Sequence, residues 1–248
     1  MKQVSPSPRG GEGRGEGKPI PNPIHALIFD LDGTLADSIA DIGNAMNAVL
    51  AELSLPPHTL DAYKAFVGEG AENLARRSVR AAKGLDWRIP SDEGLPRTIA
   101  ELTESYRVQY GKLEHGGSTA YPGIDAMLDG VVASGRKMAV LSNKRDDFTK
   151  HLVTQAFGRW PFVDVRGERD GVPRKPDPTA AYELALELNV IPANIGFVGD
   201  TPIDMGTARN AGMIPIGVLW GFRTREELTQ AGAKFLLEQP KDLLALLR

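Results

Sequence analysis

Ala26-Leu27-Ile28-Phe29-Asp30-Leu31-Asp32-Gly33-Thr34 is an apolar run that ends in two alternating carboxylates, a glycine and a hydroxyl. Four consecutive apolar residues without helical period suit a strand covered on both faces of a parallel sheet. Acids just beyond such a strand lie at its carboxyl end, where open α/β sheets place their sites. With the apolar half anchored in a core, Asp30 and Asp32 can be aimed at one metal and one substrate. The competing reading is a strand-to-helix turn in which Asp and Gly supply only turn geometry.

Outward from this stretch, short apolar runs alternate with longer segments of helical period, the pattern of an α/β fold with a parallel sheet. Strands are predicted at Ala26-Phe29, Met138-Leu141, Phe162-Val165, Ile195-Val198 and Ile214-Val218, and helices at Asp146-Ala156, Thr179-Leu188, Ile203-Asn210 and Arg225-Gln230. Between about Ser38 and Ser118 the sequence offers only helical stretches, around Ile39-Leu53, Leu60-Phe66, Ala71-Ala82 and Thr98-Tyr110. A helical insertion after the first strand is therefore expected, placed so that it forms a lid over the strand ends. The expected organisation is a tail over 1–23, a core made of 24–37 and 119–248, and a helical cap over 38–118.

The chain has 248 residues and a formal charge of −3, so a full core is affordable and no global basic field invites nucleic acid. No apolar run suggests a membrane span, and no apolar segment follows Lys2 as a secretory signal would require. The absence of cysteine removes thiolate nucleophiles, disulfides and zinc-thiolate sites, and fits a cytoplasmic protein. The four histidines, His25, His58, His115 and His151, show no metal-ligand spacing and are expected in structural or solvated roles. Gly10 to Gly17 alternate glycine with charge and have no periodicity, as in a disordered tail. They fail as a phosphate loop, because Glu12 stands where the first glycine is needed and Pro19 where Ser or Thr is needed.

Three further strand ends carry polar residues of a consistent type. Ser142 and Asn143 follow one strand, Arg174-Lys175-Pro176-Asp177-Pro178 lies beyond another, and Gly199-Asp200-Thr201-Pro202-Ile203-Asp204 follows a third. In a parallel sheet these ends share one edge, so acids, small hydrogen-bonding groups and a lysine converge. Asp204 also reads as the returning acid of a helix start with Thr201 as N-cap and Pro202 at the first helical position. Asp177 and Asp37 read as helix caps. Gly68-Glu69-Gly70, leading into a helix, either presents backbone N–H groups to an anion or is simply an entry loop.

With these motifs in order, the chain resembles the haloacid dehalogenase superfamily of phosphohydrolases, most of all its phosphoglycolate phosphatase branch, from about His25 to the C-terminus. Phe29-Asp30-Leu31-Asp32-Gly33-Thr34-Leu35 with Asp37-Ser38, Val67-Gly68-Glu69-Gly70-Ala71 with Leu74 and Arg77, Tyr121-Pro122-Gly123, and Ser142-Asn143-Lys144 carry the resemblance. Ser142 stands where the branch often has Thr, which keeps the hydroxyl. The resemblance implies a Rossmann-like core with a helical cap and hydrolysis of a small phosphorylated metabolite, 2-phosphoglycolate first. Asp30 would be the nucleophile of an aspartyl-phosphate intermediate and Asp32 the general acid and base. Mg2+ would be held by Asp30, the Asp32 backbone carbonyl and Asp200, with Asp204 acting through water or only as a cap. Ser142 and Asn143 would hydrogen-bond phosphoryl oxygens, and Lys175 would offset the gathered negative charge.

The Gly68–Gly70 loop and Arg77 are expected at the non-phosphate end of the substrate, with pairing to a neighbouring cap acid as the alternative for Arg77. Dehalogenase and phosphonate-cleaving relatives lack an acid at the place of Asp32, so oxygen–phosphorus chemistry is favoured. The enzymatic rival is a phosphomutase like the β-phosphoglucomutase branch, against which Thr34 leans. A binding module without turnover would have lost the nucleophile or a metal acid, and neither is missing. The molecule is expected as a monomer or homodimer. Removal of residues 1–23 is expected to leave phosphate release unchanged; a large loss on truncation overturns the reading of that segment as a tail.

Overall fold

The computed structural model of the protein describes residues 24–113 and 117–248; the tail reading of 1–23 and His115 lie outside the described residues. The chain opens with strand β1 (Ala26–Phe29) and the two-residue β2 (Ala36–Asp37). Four helices follow, α1 (Ile39–Glu52), α2 (Leu60–Phe66), α3 (Ala71–Ala82) and α4 (Ile99–Lys112), and then β3 (Thr119–Ala120). The second part runs α5 (Ile124–Ala133), β4 (Lys137–Arg145), α6 (Asp146–Phe157), β5 (Phe162–Glu168) and α7 (Thr179–Leu188). It ends with β6 (Ile195–Gly199), α8 (Pro202–Asn210), β7 (Ile214–Val218), α9 (Arg225–Gln230), β8 (Phe235–Leu237) and a 3-10 segment, Pro240–Leu247.

Six strands form one parallel sheet in the order β5-β4-β1-β6-β7-β8. The chain moves from β1 outward through β4 to β5, then returns to the other side of β1 and continues from β6. That reversal leaves a crevice at the carboxyl ends of β1 and β6, the place where doubly wound sheets hold their ligands. The register aligns the ends, because Phe29 is level with Val140 of β4 and with Val198 of β6. Residues just past Phe29 therefore meet those just past the two neighbouring strands.

All four side chains of β1 are fully buried, as a central strand with two covered faces requires. Leu27 and Phe29 pack with Met127, Leu128 and Leu152 on one face, and Ala26 and Ile28 with Leu184 and Leu188 on the other. The helical insertion has a separate core in which Met46, Tyr63, Leu74 and Leu102 are buried together. It leaves and rejoins the sheet domain through the antiparallel β2–β3 ribbon, where Ala36 pairs with Ala120 and Asp37 with Thr119. No helix among the described residues is long and apolar enough to cross a membrane.

The expected α/β fold with a helical insertion after the first strand is what the structure has. Differences are local. β4 extends to Arg145, so Ser142 and Asn143 lie within the strand and not after it. β8 was not expected, since three residues give too little pattern to read. Asp37 does not cap α1: it lies in β2, and the N-cap is Ser38, which makes no side-chain cap bond. Asp177 does act as a local acceptor, taking the Thr179 N–H at 2.9 Å, while Pro178 is the N-cap residue of α7. His58 has a structural place, its Nε2 lying 2.9 Å from the Ser78 carbonyl.

Leu27→Ala, in the middle of the sheet, is expected to cost about 2–5 kcal/mol of stability. Leu186→Ala, at a side chain 81% exposed, should fall within about 0.5 kcal/mol of the parent. Denaturant midpoints of the two variants test this, and equal midpoints would contradict the assigned core.

Candidate active site

Asp30 continues the line of β1, its N–H donating to the Val198 carbonyl at 2.9 Å, so the backbone of the first acid is held by the sheet itself. The chain then turns: the Leu35 and Ala36 N–H groups both donate to the Leu31 carbonyl. Gly33 makes this turn with φ +85°, and a Cβ there would stand 2.4 Å from the Asp200 carboxylate. A side chain is thus doubly unwelcome, by backbone conformation and by the close approach of the acid. Thr34 Oγ1 donates to Asp200 at 3.1 Å and the Phe222 N–H donates to its other oxygen at 2.8 Å, fixing a carboxylate that has no exposed surface.

Asp204 sits at the start of α8. Its Oδ2 accepts from the Thr201 N–H at 3.0 Å and the Thr201 hydroxyl at 2.6 Å, closing a capping box. Its Oδ1 accepts from Lys175 Nζ at 2.7 Å, and the same ammonium lies 2.8 Å from Asp30 Oδ1. The sequence left Asp204 divided between cap and metal support. In the structure one oxygen is the cap acceptor and the other faces the acid group, so the two readings occupy different atoms.

Asp30, Asp200 and Asp204 each offer a carboxylate oxygen within 4.8 Å of the others, and all three residues are buried. Lys175 pairs with two of these carboxylates, Asp30 and Asp204, so negative charge is in surplus within the group when all are ionised. The Asp30 carboxyl is held well above the usual range, first by burial and then by the charge of Asp204, against the opposing pull of Lys175. Burial and Asp204 push Asp200 up to about 7, although the Phe222 N–H and the Thr34 hydroxyl work the other way. Burial disfavours the Lys175 ammonium, but Asp204 and Asp30 outweigh it and keep the group charged. Such an oxygen-rich, anion-surplus cluster suits a hard divalent cation, which offsets the repulsion that raises Asp30 and Asp200.

Asp32 points elsewhere. Both of its oxygens accept from Lys144 Nζ, at 2.7 and 2.8 Å, and Ser38 Oγ donates to it at 2.5 Å. Burial opposes the Lys144 charge, and Asp32 restores it. The two acids of the opening motif thus have separate partners: Asp30 belongs to the metal-type cluster and Asp32 to a lysine and a hydroxyl.

Ser142 lines the cavity and accepts the Lys144 N–H at 3.2 Å, which leaves its own hydroxyl hydrogen able to donate. Asn143 is used differently from expectation. Its Oδ1 accepts the Lys175 N–H at 2.9 Å, and its Nδ2 donates to the carbonyls of Lys175 and Gly68, each at 3.1 Å. Both amide hydrogens are therefore committed to backbone, and the residue positions Lys175 and the cap loop where a phosphoryl contact was expected.

Gly68 and Gly70 also line the cavity, with φ +115° and +84°, and Gly70 is the N-cap of α3. Two core arginines tie this loop down: Arg174 pairs with Glu72 at 2.8 Å, and Arg223 donates to the Lys64 and Val67 carbonyls. Arg77 is not among the residues lining the cavity; its guanidinium pairs with Glu69 and donates to the Phe66 carbonyl at 3.1 Å, the alternative the sequence had left open. The sequence reading assigned no role to Lys144, Ser38 or Phe222. For Lys144 the signal was its place directly after Ser142-Asn143; Phe222 contributes only a backbone N–H, which no side-chain pattern announces.

Between the strand ends and the insertion lies a cavity whose wall includes Asp30, Asp32, Ser142 and Lys175 from the sheet domain and Leu74 and Tyr106 from the helices. The arrangement provides a buried carboxylate beside an ammonium, a second carboxylate held by a lysine and a hydroxyl, and a hydroxyl donor around one cavity. It is suited to nucleophilic displacement at an anionic centre.

Comparison with known proteins agrees with this chemistry. A phosphoglycolate phosphatase of Psychrobacter arcticus is 32% identical over 208 residues, covering 82% of this chain and 87% of the relative. One of Rhodospirillum rubrum is 35% identical over 208 residues, covering 84% of each. The crystal structure of a predicted phosphoglycolate phosphatase from Haemophilus somnus superimposes with a TM-score of 0.79 at 25% identity, over 91% of this chain and 98% of that one. Residues 27–218 match the haloacid dehalogenase-like hydrolase family, and the chain belongs to it.

Proposed function

We propose that the protein is a Mg2+-dependent phosphomonoesterase that forms an aspartyl-phosphate on Asp30, with 2-phosphoglycolate as its substrate and glycolate and phosphate as products. The observation that carries the reaction type is the single ammonium of Lys175, 2.8 Å from Asp30 and 2.7 Å from Asp204, inside a buried group of three acids. The choice of substrate is supported by the names of the relatives at 32% and 35% identity.

Asp30, Asp200 and Asp204 fit the ion by their oxygen donors and surplus charge, with Asp30 and Asp200 offering direct ligands and Asp204 support. When bound, Mg2+ supplies neutralisation of the phosphoryl oxygens and of the nucleophile. Asp30 attacks phosphorus, and the bond to the ester oxygen breaks. Asp32 passes a proton to that leaving oxygen, then takes one from the water that attacks the aspartyl-phosphate, returning Asp30 as a carboxylate. Lys144 and Ser38 hold the Asp32 carboxylate in one orientation, the form needed as base in the second half. Ser142 donates to a phosphoryl oxygen, and Lys175 remains as a fixed positive charge beside the transferring group. Asn143 holds the Lys175 backbone in place for this. Gly68 and Gly70 of the cap loop line the cavity, where they meet the non-phosphate end of the substrate.

Phosphate release measured with and without Mg2+ over a panel of 2-phosphoglycolate, sugar phosphates, nucleoside monophosphates and pyrophosphate should favour 2-phosphoglycolate and require the metal. Preference for a sugar phosphate, or isomerisation without release, overturns the substrate. Asp30→Asn should lower kcat by at least about 10³-fold, and substantial residual turnover removes the nucleophile. Independently of turnover, Mg2+ at about 100 times its Kd should raise the melting temperature by roughly 5–10 °C over the chelated protein. Asp200→Asn should lose that increment, and its full retention would remove Asp200 from the metal site.

A further inference from the structure

We propose that Arg107, on cap helix α4, binds the carboxylate of the substrate and so sets the preference of the site for a phosphorylated carboxylic acid; this rests on the reading of the reaction given above. Among the described residues, four cationic side chains line the cavity: Arg107, Lys144, Arg145 and Lys175. Three have close acid partners. Lys175 is held by Asp30 and Asp204, Lys144 by both oxygens of Asp32, and Arg145 by Asp147, with its guanidinium 4.3 Å above the Phe148 ring.

Arg107 differs. Its nearest acid is Glu104, one helical turn earlier, at 4.0 Å and with a side chain 63% exposed. That distance is at the limit of an ion pair, and a solvent-facing partner of this kind holds an arginine weakly. The Nε of Arg107 is buried with no hydrogen-bond partner among the described residues. A buried charged donor left without an acceptor is costly, and a ligand that supplies one recovers the loss. A guanidinium edge matches the two oxygens of a carboxylate and can bind both at once.

Its location fits the same role. The groups for phosphate come from the sheet edge, namely Asp30, Ser142 and Lys175, while Arg107 enters from the cap. The Arg107 side chain is partly exposed, at 29%, while its Nε is buried, so that one edge of the guanidinium lies away from water. A substrate with phosphate at one end and carboxylate at the other would then bridge core and cap, each end meeting its own cation.

The test compares kcat/KM for 2-phosphoglycolate with that for ethyl phosphate, in which a methyl group replaces the carboxylate. The parent enzyme should prefer the acid. Arg107→Met should reduce that preference on the order of 10- to 100-fold, the effect of losing one charge-assisted contact, and Arg107→Lys should restore part of it. The ratio is insensitive to a general loss of folded enzyme, and Arg107→Gln, which also removes the charge, gives the same readout if the Met variant is poorly folded. A parent enzyme with no preference for the acid defeats the substrate reading itself. A parent preference that survives unchanged in Arg107→Met or Arg107→Gln defeats the role of Arg107 while leaving that reading in place.

Discussion

Three buried carboxylates gathered together, two of them sharing one lysine, are the constraint on which the rest of the site depends. Burial and the charge of Asp204 both disfavour the anionic forms of Asp30 and Asp200. The three acids stay together because each is anchored by neutral groups of the scaffold. The β1 backbone bonded to Val198 holds Asp30, Thr34 and the Phe222 N–H hold Asp200, and the Thr201 capping box holds Asp204. Electrostatic strain is thus stored in a scaffold whose stability comes from a covered sheet and from apolar packing on both of its faces.

The division of labour between Asp30 and Asp32 follows from the same geometry. Two acids separated by one residue diverge, because the first continues a strand while the second lies in the turn that leaves it. One enters a region rich in anions; the other meets Lys144 and Ser38. Identical side chains acquire different partners, the arrangement expected where one group must attack and another must exchange protons.

Much of this was legible in the residues. Asp30, Asp32 and Asp200 are charged groups just past apolar runs, and a parallel sheet brings such ends to one edge; Lys175, in a loop beyond β5, was drawn in by its place beside the other motifs. What escaped depends on contacts between distant segments. Asn143 looked like a phosphoryl ligand because its amide was read in isolation, whereas its hydrogens go to Lys175 and to Gly68, 75 positions earlier. Arg77 and Arg107 are both helical arginines of the insertion, indistinguishable by spacing, and only the folded cap shows that one has a carboxylate beside it while the other looks into the cavity. The β2–β3 ribbon is two residues long on each side, shorter than any periodicity can register.

The side-chain amide of Asn143 imposes a demand on sequence change. It must accept one N–H and donate to two carbonyls at once, and those three fixed partners determine which end of the amide is oxygen and which is nitrogen. Aspartate would keep the acceptor but turn a negative oxygen toward two carbonyls; leucine would fill the space and satisfy none of the three; glutamine would overshoot by a methylene. A substitution there would be felt in the insertion as well as in the sheet domain, so this position tolerates less variation than its distance from the reacting atoms would suggest.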